Sequence, residues 1–124
     1  MKIIIQNTSE FPIYAQIEQQ IIEQILDGSI KAGTVLPSIR KLANELGVSV
    51  ITTTRAYSEL EQKKFVASVQ GKGTIVLDQD KEGLKEKFQG QVRETLKELV
   101  AKSKRMDLEK KSLHDWVEEF WRED

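Results

Sequence analysis

Few side chains in these 124 residues belong to the types that carry covalent chemistry. His114 is the single histidine and there is no cysteine. A Ser-His-Asp relay would have to be built on that one imidazole, which lies beside Trp116 in a charged stretch, and thiolate chemistry is excluded. No cluster of His and Cys offers a zinc site, so neither a metal nor a cofactor is expected. Gly71-Lys72-Gly73 lacks the spacing of a phosphate-binding loop and the Ser/Thr-capped helix that follows one. The acidic residues of the last third alternate with lysines, as on solvated helix faces. An enzyme is therefore not expected, and the chemistry that remains is recognition. Its cations are Arg40, Lys41, Arg55 and Lys72. Beside them lie the hydroxyl of Thr54 and the apolar groups of Val50 and Ile51, which suit phosphates, base edges and thymine methyl groups.

These residues need elements to hold them, and the stretch Leu36–Leu60 supplies two. Ser38 follows Pro37 and is a good N-cap, and Ile39, Leu42, Ala43 and Leu46 repeat at helical spacing. Gly47 ends that helix in a left-handed turn. Ser49 offers a second cap, and Thr53, Ala56, Tyr57 and Leu60 form the inner face of a second helix. Two helices joined by such a turn make a helix-turn-helix, whose second helix fits the DNA major groove. The run Val48–Thr54 is rich in β-branched residues, so a strand is the alternative there. The period after Thr53 and the cap at Ser49 favour the helix. Ile51, Thr54, Arg55 and Ser58 then face outward, with Val50 at the rim.

The rest of the chain reads in order. Lys2–Gln6 is a short β-type run, followed by the polar turn Asn7-Thr8-Ser9-Glu10. Pro12 is placed to open a helix whose stripe is Tyr14, Ile17, Ile21 and Ile25, ended by Gly28. After the second helix of the pair, Phe65–Val69 and Thr74–Leu77 flank a four-residue Gly-containing loop and read as a hairpin, a wing with Lys72 at its tip. From Asp80 a charged tail begins. Leu84, Phe88, Val92, Leu96 and Leu99 line a helix of roughly 23 residues, about 35 Å long. After a turn near Lys104, a last helix capped by Asp107, or starting at Ser112, carries Leu113, Trp116, Val117, Phe120 and Trp121. The expected organisation is a DNA-binding domain over residues 1–78 and a helical region over residues 79–124.

Net charge is −1. Residues 1–77 carry eight Lys/Arg against seven Asp/Glu, and residues 78–124 carry eleven against thirteen. Neither part is a basic domain, so any DNA site rests on a local cluster and non-specific affinity is modest. No apolar run approaches a membrane span and no signal peptide precedes the first helix, which together with the missing cysteine fits a cytoplasmic protein.

Ile13-Tyr14-x-Gln16-Ile17, Gly28, Gly33, Leu36-Pro37-Ser38-x-Arg40-x-Leu42-Ala43, Leu46-Gly47-Val48-Ser49, Thr52, Ala56-Tyr57, Leu60-Glu61 and Gly71-Lys72-Gly73-Thr74 occur in order. Over roughly residues 11–77 the chain thereby resembles the winged helix-turn-helix domain of GntR-family bacterial transcription regulators. The tail is similar in size and pattern to that of the YtrA-like short subfamily. The resemblance implies a homodimer on a two-fold operator, usually as a repressor. It implies DNA contacts from Ser38 and Arg40 at the start of one helix, from Ser49, Thr52 and their neighbours on the next, and from Gly71 at the wing tip. Many members carry Arg then Asn or Thr where this chain has Val50 and Ile51, so its base readout leans on methyl contacts, Thr54 and Arg55. Dimerisation is expected through Leu84, Phe88, Val92, Leu96, Leu99, Trp116, Phe120 and Trp121. A small-molecule effector would act by changing the separation of the two recognition helices, although no residue identifies one. The competing expectation is a winged-helix module that binds protein rather than DNA.

Overall fold

The protein, described here over residues 1–123 of a computed structural model, is mainly helical with one two-stranded antiparallel hairpin. Its elements run α1 (Ile13–Leu26), α2 (Ile39–Leu46), α3 (Val50–Gln62), β1 (Val66–Val69), β2 (Gly73–Val76), α4 (Lys81–Arg105) and α5 (Lys110–Arg122). Two compact units divide the chain, Met1–Lys81 and the residues from Glu82 on.

In the first unit, α1, α2 and the hairpin all pack on α3. The core is built from Ile17 and Ile21 of α1, Leu42 and Ala43 of α2, Ala56, Tyr57 and Leu60 of α3, and Val66 and Val76 of the hairpin. Thr53 is fully buried among them. Its hydroxyl donates to the Ser49 carbonyl at 3.1 Å, which satisfies a polar group that water cannot reach. Glu18 is buried on α1 and pairs with Lys63, the residue that caps the end of α3. Removing Lys63 would leave the Glu18 carboxylate buried without its partner, whereas Lys63, half exposed, would turn to water.

The hairpin pairs Val66 with Val76 and Val69 with Gly73. Its strand begins at Gly73 rather than Thr74, so the loop is the three residues Gln70, Gly71 and Lys72. Gly71 and Gly73 both take positive φ, which a side chain would strain. The linker after α1 does more than connect. Val35 bridges Ile75, the Leu36 N–H donates to the Thr74 carbonyl at 2.8 Å, and the Thr34 carbonyl accepts from the Val76 N–H at 2.9 Å. A third edge is thus laid on the hairpin, which the linker's lack of a strand signature conceals.

The β-type run Lys2–Gln6 forms no strand. It is extended, but its partner is a helix: Gln24, Gln20 and Gln16 of α1 reach the backbones of Lys2, Ile4 and Gln6 respectively. Each glutamine accepts from the N–H (3.1, 2.9 and 2.8 Å) and donates to the carbonyl (2.8, 2.8 and 3.0 Å) of the same residue. Four helical residues advance ~6.0 Å and two extended residues ~6.6 Å, so the periods match. Pro12 sits one place earlier than expected, at the N-cap of α1, and its carbonyl accepts the first helical hydrogen bond from Gln16.

In the second unit α4 runs 25 residues. It ends where Met106 and Asp107 turn, and Asp107 takes φ 57° there. Asp107 therefore terminates α4 and does not cap α5. Neither does Ser112; the N-cap is Glu109, whose side chain makes no capping bond. A residue in the left-handed region has left the extended geometry that an N-cap requires. Leu84 and Leu113 are partly covered, whereas Phe88, Val92, Leu96, Leu99, Trp116, Val117, Phe120 and Trp121 are exposed.

The glutamine clasp yields a measurable expectation. Gln20→Ala should strip hydrogen-exchange protection from the Ile4 amide and cost about 1 kcal/mol of stability, the worth of a typical hydrogen bond. Unchanged protection at Ile4 would show that the strap is held by its isoleucines instead.

Candidate nucleic-acid interface

Three pieces of the first unit carry the recognition residues named from sequence: the first turn of α2, the first two turns of α3, and the hairpin tip. Ser38 caps α2 by accepting the Lys41 N–H at 3.2 Å. Its hydroxyl proton is thereby directed away from the helix, toward anything that meets the N-terminus. Arg40 and Lys41 follow at once, both exposed and neither in an ion pair among the described residues. The partial positive charge of a helix start and two cations favour an anion there.

Between the helices Gly47 takes φ 67° and ends α2, after which Val48 donates back to the Ala43 carbonyl at 3.0 Å. Ser49 caps α3 through the Thr52 N–H at 3.0 Å, and its own hydroxyl donates to the Thr52 hydroxyl at 2.8 Å. The β-branched run forms its helix without leaving the threonine hydroxyls unpaired. Thr53 and Thr54 donate to the carbonyls four residues back, at 3.1 and 2.7 Å. Burial of the inner face does the rest.

The outer face of α3 presents the residues expected of it, with one added contact at Arg55. Ile51 is 82% exposed and Val50 43% exposed, so two apolar side chains stand in solvent at the start of the helix. Thr54 is exposed, and its hydroxyl proton is committed to Val50, leaving its oxygen as an acceptor. Arg55 is exposed, as expected, and it is also stacked on α1: its guanidinium carbon lies 3.9 Å from the centre of the Tyr14 ring. That cation–π contact holds the guanidinium against α1. Tyr14 has no signal in the sequence that would have announced this role.

At the tip of the hairpin Gly71 and Lys72 are exposed, and the Lys72 N–H donates to the Val69 carbonyl at 3.0 Å, which fixes the turn. His114 is exposed on α5.

The sequence profile of the bacterial regulatory proteins, gntR family, matches residues 13–76, the span from the start of α1 to the end of β2. The chain belongs to the GntR family. The HTH-type transcriptional repressor YtrA of Bacillus subtilis (strain 168) is 36% identical over 112 residues, covering 90% of this chain and 86% of the repressor. Among solved structures, a transcriptional antiterminator from Listeria monocytogenes EGD-e superposes with a TM-score of 0.76 at 31% identity, covering 98% of this chain and 91% of that one. The DNA-binding domain of AraR in complex with operator ORX1 superposes with a TM-score of 0.54 at 30% identity, covering 61% of this chain and 95% of that one. The likeness to YtrA extends well past the winged domain into the tail. The GntR relatives are regulators, and this chain is a regulator rather than an enzyme.

One feature of this GntR domain that spacing alone does not reveal sets the seat of the two helices. The Tyr57 hydroxyl of α3 donates to the Pro37 carbonyl at 2.7 Å, immediately before the cap of α2. Burial pushes the Tyr57 hydroxyl up to about 12 from 10.0, with the charge of Glu45 adding to the effect. Because the folded state holds this proton more tightly than the unfolded one, the contribution is complete below pH 10 and is lost as pH rises toward 12. Tyr57→Phe should therefore lower stability at neutral pH by about 1 kcal/mol and make the alkaline decline shallower in that window. Denaturant melts at a series of pH values check both. A slope identical to that of the parent would mean Tyr57 is not the titrating group.

Proposed function

We propose that this GntR protein is a cytoplasmic, sequence-specific DNA-binding repressor that acts as a homodimer on a two-fold operator. The observation that carries the reading is the start of α3. Two exposed apolar side chains, Val50 and Ile51, stand beside hydroxyls on the outer face of a helix whose opposite face is buried. Water alone gives no reason for that arrangement, whereas thymine methyl groups in a major groove do. The AraR domain bound to its operator shares this fold, and YtrA is a repressor. Ser38, Arg40, Lys41 and Lys72 position the domain on phosphates. Ser49, Val50, Ile51, Thr52 and Thr54 read bases or the adjoining backbone, with Gly71 letting the wing approach closely. Arg55, exposed and stacked on the Tyr14 ring, contacts the DNA from the same face, with its guanidinium held in place by that ring.

Selection of bound duplexes from a random pool tests the function, since a recovered two-fold site gives both specificity and symmetry. Arg40→Ala and Lys72→Ala should weaken binding to all sequences and each reduce the slope of log affinity against log salt by about one. A slope unchanged in both variants would place the phosphate contacts elsewhere.

The tail supplies the dimer in this reading. Phe88, Val92, Leu96 and Leu99 recur along one side of α4, and α5 adds Trp116, Phe120 and Trp121, the last 85% exposed. A helical surface so apolar is covered in a stable protein, and a second copy covers it by a self-complementary two-fold contact. Two recognition helices are then held together, which raises operator affinity by roughly 10²–10⁴. The pair Phe88→Asp and Leu96→Asp changes residues that are half exposed in one chain, so the fold should survive. Sedimentation should show a monomer, and binding to a two-half-site operator should fall toward that of a single half-site. A variant that stays dimeric would assign the interface to other residues.

A further inference from the structure

α5 does not fold back along α4 of its own chain. Cover is confined to the turn between them. There Ser103 is buried, its hydroxyl donates to the Leu99 carbonyl at 2.8 Å, and its carbonyl accepts the Leu108 N–H at 3.0 Å. Beyond the turn α5 has no buried residue. Its apolar side chains nevertheless fall on one face at helical spacing, and Trp116, Val117, Phe120 and Trp121 are between 42 and 85% exposed. Isolated helices shorter than about 12–15 residues are marginal in water, so this helix of 13 residues draws its stability from whatever covers that face.

The stripe on α4 matches it. Phe88, Val92, Leu96 and Leu99 are each about half exposed. At 1.5 Å per residue the α4 stripe is roughly 16 Å long from Phe88 to Leu99, and the α5 stripe is roughly 12 Å long from Leu113 to Trp121. The surrounding charges are opposite in sign. Lys85–Lys97 holds four cations and two anions, whereas His114–Arg122 holds three anions and one cation. Setting α4 on α4, or α5 on α5, would bring like charges together, and setting α5 on α4 brings unlike charges together.

We propose that the tails are exchanged between protomers: α5 of each copy lies on the Phe88–Leu99 stripe of α4 in the other. The dimer then holds the same α4–α5 contact twice, related by its two-fold axis. The exchange rests on the dimeric reading of the tail and adds which surfaces meet.

Because the chain has no cysteine, engineered thiols can report it without background. Val92→Cys and Val117→Cys place one thiol near the middle of each stripe, so the two meet whichever way α5 runs. Both valines are at least half exposed, so each full-length variant should keep the parent's circular dichroism. The two variants are co-produced with different tags, purified as the mixed dimer and mildly oxidised. The mixed dimer should form at least fivefold more covalent dimer than either single-variant dimer. Equal or stronger crosslinking in a single-variant dimer would mean that α4 meets α4 or α5 meets α5, and would overturn the exchange. So would a closed monomer from the chain carrying both cysteines, since α5 would then lie on its own α4. Charge reversal is a second measurement. Glu118→Lys with Glu119→Lys should weaken the dimer about tenfold at low salt, and adding Lys85→Glu with Arg93→Glu to the same chain should restore it. Like-on-like pairing predicts neither effect, so a dimer indifferent to both sets also overturns the exchange. A parent protein that sediments as a monomer would remove the dimeric reading and the exchange together, whereas a dimeric parent without the mixed crosslink removes the exchange alone.

Discussion

The burial of one face of α3 is the constraint on which the first unit depends. Thr53, Ala56, Tyr57 and Leu60 are spaced for a helix and are almost wholly withdrawn from water. α1, α2 and the hairpin each find their place by packing against it. The local sequence of α3 alone does not favour this outcome, since its first residues prefer extended backbone. Tertiary burial and the Ser49 cap outweigh that preference. The outer face is then fixed by default: whatever is not among those four positions, or the residues flanking them, is presented outward, which is why Val50 and Ile51 meet solvent.

Much of this was legible in the sequence, for identifiable reasons. Ser38, Gly47 and Ser49 act through their own backbones, so their roles follow from residue type and neighbours. The helical stripes of α1 and α3 and the hairpin glycines act the same way. What escaped the sequence involves pairs far apart in the chain. Arg55 reads as an outward cation and is one, but its stacking on Tyr14, 41 positions earlier, is not announced by either residue's neighbours. The linker reads as loop until β2 lies beside it. Lys2–Gln6 reads as a strand because its residues are β-formers, and only the glutamines of α1 show that its partner is a helix. Asp107 was misread because Asp serves both as N-cap and as a left-handed residue after a helix, and sequence does not tell these apart.

The recognition surface and the tail follow different logics. On the first unit the groups proposed to meet DNA are few and lie at two helix starts and the hairpin tip, and the helix starts already concentrate unpaired N–H groups and capping hydroxyls. A nearly neutral domain can therefore gather positive potential locally. In the second unit the charged residues keep long helices soluble while leaving a line of large apolar side chains uncovered. The two surfaces are thus distinguishable by physics: one is polar with two methyl-bearing exceptions, the other apolar within a charged frame.

The glutamine clasp has an evolutionary consequence. Within the strap each primary amide engages main-chain atoms alone, and its second N–H goes to the carbonyl of Phe11 or of α1 itself, so it is blind to the side chains at positions 2, 4 and 6. Those positions are free to drift without loosening the attachment. The amides themselves have no such freedom. Glutamate cannot donate and lysine cannot accept, while asparagine is one methylene too short for the same reach. Mutational tolerance is therefore divided unevenly across a single contact: the held segment can vary in sequence, and the three residues that hold it cannot.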